Sequence, residues 1–163
     1  MYNSDLVTAQ KLAYEPNGLI VKNLIAEKES QEYGACRFEI NNWRIIFRVA
    51  KITPTKVGQF VTLWKRIGTG PILPYDISDS LDLFMVSVKS GKSLGQFIFP
   101  KELLLQKGFV STNGKGGRRA MRVYPPWDIT DNAQAKKTQA WQLLYFVEIQ
   151  PTADCTKMRQ LLS

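Results

Sequence analysis

The chain has 163 residues, 44% of them hydrophobic and 22% charged. Those proportions exclude a disordered chain and fit a single domain over residues 1–163. Its formal net charge is +8, a balance that attracts polyanions. Histidine is absent, which removes the commonest general base, the commonest zinc ligand and every Ser-His or Cys-His relay. The two cysteines, Cys36 and Cys155, are too few for a disulfide scaffold, so both are expected as free thiols. No apolar run approaches the roughly 18–20 residues of a membrane span. The first residues lack the basic and apolar regions of a secretory leader. The expected location is the cytoplasm, with no membrane partner.

In chain order, Ser4 or Asp5 is expected to cap a first helix of about ten residues, with Leu6, Ala9 and Ala13 on one side. Glu15-Pro16-Asn17-Gly18 ends it as a turn. Residues 22–34 are polar and acidic and read as a loop or short helix. Cys36 to Lys51 reads as a β-hairpin about Asn41-Asn42, since Asn tolerates positive φ. Its return strand places Trp43, Ile45, Phe47, Val49 and Lys51 on one face, and Cys36 is expected to face the core. A strand follows at about Gln59–Arg66, then a long connection from Gly68 to Ser80. Asp82–Lys89 and Leu94–Phe99 form a second hairpin. Pro100 suits the first position of a short helix ending before Gly108, and Phe109–Ser111 reads as a short strand. Asn113–Gly117 is expected as a flexible loop leading into a strand, Arg118–Tyr124, stopped by Pro125-Pro126. Asp131 with Gln134 resembles a capping box for a helix to about Leu144 that buries Trp141 and Leu144. Tyr145–Ile149 extends that helix or forms an edge strand, and Asp154–Leu162 is a terminal helix. A strand-rich middle between helices indicates a mixed α+β domain.

The charge is unevenly placed. Residues 40–75 hold six basic and no acidic side chains, net +6, and residues 83–127 hold eight basic and one acidic, net +7. Two such blocks suit a nucleic acid, although solubility alone would also account for a basic surface. Gly114-Lys115-Gly116-Gly117-Arg118-Arg119 combines glycines that permit close backbone approach to a phosphate with adjacent cations. Arg118, Arg122 and Tyr124 share one strand face. Cations with an aromatic suit single strands, where phosphates and base planes are both available. A solvated edge strand is the plainer alternative. Gly91-Lys92-Ser93 resembles the end of a P-loop, but Val86 stands where the motif needs a glycine, so it reads as a hairpin turn. Asp76, Asp79 and Asp82 have the spacing of a loop and helix cap, not of paired catalytic carboxylates. Trp64, Trp127 and Trp141 read mainly as packing residues, with Trp127 the best exception.

Lys51 aligns with an apolar strand face, where it either snorkels or is placed for chemistry. In metal-dependent nucleases a carboxylate two residues earlier would hold Mg²⁺ beside such a lysine. Here that position is Val49. No Asp or Glu in the chain is followed two positions later by Lys.

The stretch from Arg48 to Arg66, with Gly95-Gln96-Phe97-Ile98-Phe99-Pro100-Lys101, Arg118–Asp128 and Thr138-Gln139-Ala140-Trp141-Gln142, resembles the MepB family of small bacterial proteins. The resemblance implies a restriction-endonuclease-like fold related to the PD-(D/E)XK nucleases, with a central mixed β-sheet flanked by helices. It also implies a link to drug response, because the family takes its name from a multidrug-efflux operon. Lys51 would stand where the nuclease lysine stands and Val49 where its acid would be, giving a vestigial site with no metal and no cofactor. Glu39 and Asp82 remain as acids that could stand near the cleft.

The leading expectation is a binding module for RNA or DNA, single strands preferred, on a non-cutting fold. Lys51, Lys56, Lys65, Arg66, Lys115, Arg118, Arg119 and Arg122 would contact phosphates, and Trp64, Tyr124 and Trp127 would stack on bases. The two basic blocks are expected to meet in one groove bordered by residues 113–117. The alternatives are an active nuclease whose metal acid has migrated, and a regulatory protein that meets an acidic partner.

Overall fold

A computed structural model of the chain describes residues 2–151 and 156–163. Helix α1 (Ser4–Ala9) continues into a π-helical turn over Gln10–Tyr14 and a 3-10 turn over Glu15–Asn17. Its cap is Asn3 and not Ser4 or Asp5: the Asn3 side chain accepts from the Asp5 backbone N–H. Leu6, Ala9 and Ala13 are buried together, as their spacing requires. Residues 22–34, expected as loop or helix, contain a strand, β1 (Lys22–Ala26). Its sequence carries no strand signal because it is an edge strand, mostly exposed on both faces, and therefore lacks an apolar alternation.

Strands β2 (Cys36–Ile40) and β3 (Trp43–Val49) form the expected hairpin, with Asn41 and Asn42 both at positive φ. Lys51 does not extend β3. The Ala50 N–H bonds to Ser87 O, and the chain then turns into a separate strand, β4 (Lys51–Ile52). The expected single strand over Gln59–Arg66 is two, β5 (Gln59–Thr62) and β6 (Trp64–Arg66), and β7 (Ile72–Pro74) lies inside the expected connection. The second hairpin, β8 (Leu83–Ser90) and β9 (Ser93–Pro100), is as expected, with Gly91 and Lys92 at its turn. Pro100 ends β9 and caps α2 (Lys101–Gln106) from outside the helix. Residues 109–111 form no strand; Ser111 makes an isolated bridge to Asp76. Strand β10 (Ala120–Val123) precedes α3 (Ala133–Gln142), whose cap is Asn132, accepting from Ala135 N–H, in place of the expected Asp131 box. A 3-10 turn over Leu143–Tyr145 leads to β11 (Phe146–Glu148), and α4 (Thr156–Leu161) is the last helix. Leu144, expected to be buried, is 68% exposed because the helix has ended before it. Cys155 and the expected helix start at Asp154 lie outside the described residues.

The main sheet has the order β1-β2-β3-β8-β9-β11, antiparallel except for the parallel β3–β8 pair. Strands buried on both faces read as continuous apolar runs, and Leu83–Val86 and Phe97–Phe99 are such runs. One face packs Phe38, Ile45, Phe47, Met85 and Ile98 against α1 and the Met158 and Leu162 side chains. The other packs Ile46, Phe84, Val86 and Phe99 against Leu104, Val61, Met121 and Val123. A second sheet, β10-β5-β4, and a two-stranded ribbon, β6-β7, complete the strands. The architecture is thus mixed α+β around a central mixed sheet flanked by helices.

Cys36 faces the first core and burial pushes its thiol up to about 12. On the opposite side of the sheet Arg48 is only 1% exposed. Its guanidinium donates to both Glu27 carboxylate oxygens, to Phe47 O and to the Tyr75 hydroxyl.

Candidate functional site

The small sheet has one face committed to the core. Val61, Met121, Val123 and Gln59 point inward and are buried. Directly opposed residues in a sheet project to the same side, and Lys51 lies opposite Phe60, which lies opposite Arg122. The outward face therefore carries a cation–aromatic–cation row across three strands. Tyr33 adds a second ring, with its centroid 6.4 Å from that of Phe60 and the Lys51 Nζ 4.5 Å above its own ring. Tyr33 reaches this place on a 3-10 turn, Gln31–Tyr33, between Ser30 and Gly34, both in the left-handed region. A Cβ at Gly34 would approach Val49 and Asn3 to about 3.0–3.1 Å.

Along β10 the same side carries Arg118, Arg122 and Tyr124. Together with Lys56, Phe60 and Phe109 they line a groove of ≈ 590 Å³ whose far wall is the start of α3. The Arg118 guanidinium lies 5.5 Å from the Phe109 ring centroid. Arg122 Nη1 donates to Thr53 Oγ1 and Val57 O, which ties the 53–57 loop to the sheet. Gly58, at φ +86, lies under the Tyr124 ring; a Cβ there would come within 2.7 Å of it. The wall is fixed by two amides of α3. Gln142, fully buried, accepts from Tyr124 N–H and donates to Arg122 O, while Gln139 donates to Pro125 O and Asp128 O. Lys51, Lys56, Arg118 and Arg122 have no ion-pair partner among the described residues.

The other expected residues lie elsewhere. Lys65 pairs with Asp79 at 2.6 Å and Arg66 with Glu29 at 2.8 Å, in a second groove that Trp64 also lines. Trp64 carries the Arg66 guanidinium 5.6 Å from its ring centroid. Trp127 is a packing residue set edge-on to Phe146, with its indole N–H buried and without a hydrogen-bond partner among the described residues. Arg119 is exposed one residue out of step with Arg118 and Arg122, and its carbonyl accepts from Leu63 N–H. The two basic blocks therefore share one groove only through Lys56, Arg118 and Arg122.

The glycine-rich segment does not border that groove. It is a tight turn closed between Thr112 and Lys115, with Lys115 exposed upon it. The Gly114 N–H is taken by the Asp76 carboxylate, which also accepts from the Ser78 N–H and hydroxyl and the Ser111 hydroxyl. These bonds, the Gly114 amide foremost, hold Asp76 well below the usual carboxylate range. Asp82 is engaged by the Arg44 backbone and guanidinium, and Glu39 by Asn23, so neither acid enters either groove.

These features define a small α+β protein that presents unpaired cations and rings on a secondary sheet. The chain belongs to the MepB-like family, whose model matches residues 27–148. It is similar to a solved structure described as the crystal structure of MepB, at 37% identity and a TM-score of 0.77, over 91% of this chain and 97% of that one. No curated protein matches.

Proposed function

We propose that the outward face of the small sheet binds nucleic acid, with single strands favoured over duplex. The observation that carries this reading is the row Lys51–Phe60–Arg122, continued by Arg118, Tyr124 and Lys56, in which every cation lacks an acidic partner among the described residues. Phosphates neutralise such cations, and unpaired bases stack on rings held at the same level. The stacking rings are Phe60, Tyr33 and Tyr124, in place of Trp64 and Trp127. A duplex hides its base planes and would use the cations alone.

Fluorescence anisotropy with labelled RNA, single-stranded DNA and duplex DNA tests this. Single strands should bind more tightly, with log K falling with log salt by about 0.7 per phosphate contacted. Absence of binding to all three at low salt refutes the reading. The same mixtures with Mg²⁺ or Mn²⁺ should remain uncut. Cleavage that disappears in Lys51→Ala would instead favour the nuclease alternative.

A further inference from the structure

The two sides of the groove differ in chemistry. Its cations, Lys56, Arg118 and Arg122, all belong to the small-sheet side, whereas the lining from Asp131 to Thr138 contains no cation. Some polar side chains of α3 and its cap are already engaged. Asn132 caps Ala135 N–H and donates to Asp131 Oδ1, and Gln139 and Gln142 hold the neighbouring backbone. Three groups are left to face a ligand: the second Asp131 oxygen, the Gln134 amide and the Thr138 hydroxyl, with no hydrogen bond of their own among the described residues. Gln134 and Thr138, four residues apart, project from one side of the helix. Ala135, a small buried side chain between them in sequence, lines the same groove.

Resting on the reading that this groove holds a single strand, we propose that the α3 wall selects the base, preferring one with an exocyclic amino group. A nucleotide with its phosphate on Arg118 and Arg122 turns its base edge toward Asp131 and Gln134. An ionised carboxylate only accepts hydrogen bonds. Cytosine N4, adenine N6 and guanine N2 present amino donors to it. Uracil and thymine present carbonyl oxygens on both sides of their single ring N–H, and these face the carboxylate unfavourably.

The cleanest comparison uses short single strands of deoxycytidine and of deoxyuridine, which share a sugar and a ring size. Anisotropy titrations should show the cytosine strand binding about tenfold more tightly. In Asp131→Asn the ratio should fall toward one, whatever happens to overall affinity. Removing a negative charge would by itself tighten both strands equally, so the ratio isolates base reading from general electrostatics. Equal binding of the two strands by the unaltered protein overturns base selection and leaves nucleic-acid binding standing. A preference that survives in the double variant Asp131→Asn, Gln134→Leu also overturns it. If neither strand binds, both readings fall.

Discussion

The groove beside β10 and the groove beside β6 are both rich in cations and aromatic rings, yet they are electrostatically different. At β6, Lys65 and Arg66 each have a carboxylate within 3 Å, and the buried Arg48 of β3 is held by Glu27, which lines the same groove. At β10, Lys56, Arg118 and Arg122 have none among the described residues. A cation already neutralised by its own chain contributes to the fold or to nothing measurable; one whose charge no carboxylate meets is available to an anion. Net charge per segment cannot draw this distinction, because the acids that neutralise Lys65, Arg66 and Arg48 come from residues 27–29 and 79.

The largest expected effect tests the paired side. Arg48→Ala removes a buried guanidinium and leaves Glu27 only the more distant, exposed Arg37 at 3.9 Å, and should cost about 3 kcal/mol in chemical denaturation. If stability hardly changes, the pair does not hold β3 to the β1 connection. Next in size is the unpaired side. Arg118→Ala and Lys56→Ala should each weaken single-strand binding about tenfold and lower the salt slope by about 0.7. Stability should stay within about 0.5 kcal/mol, as for other surface substitutions. A stability loss with unchanged affinity would reverse the assignment.

A smaller effect is expected at Asp76. Its folded pKa lies below the ordinary value near 3.9, so its contribution is complete above about pH 5 and fades as pH falls through and below that value. Asp76→Asn should be less stable at neutral pH and should show a shallower loss on acidification, read from urea midpoints across the acid range. Matching acid profiles for the two proteins would show that Gly114 and the two serines do not hold an ionised carboxylate. The least effect belongs to Lys65→Ala, with at most about 1 kcal/mol in stability and affinity unchanged within about twofold.

Both hairpins and the strand over residues 120–123 were legible because their alternation and turn residues agree. The place of Lys51 is not legible, because a period of two cannot reveal that a chain leaves one sheet for another at Ala50. Tyr33 gave no signal: its place depends on two left-handed residues around a single 3-10 turn. Phe60 could have been found, since it is the large aromatic on the non-core parity of β5, but only the register with Lys51 and Arg122 gives it meaning. The glycine segment misled for a physical reason. Its backbone does approach an anion, and that anion is the chain's own Asp76.

The Gln142 amide also bears on how the small sheet comes to an end. Strand β10 has β5 on one flank only, and the Arg119 carbonyl points to that flank. Arg122 O and Tyr124 N–H therefore point the other way, where an open strand would recruit another molecule. One carboxamide side chain fills both positions, standing in for a rung of a neighbouring strand. Exchanging it for leucine would leave those two groups buried without a partner, so that one side chain decides whether the small sheet can end beneath a helix.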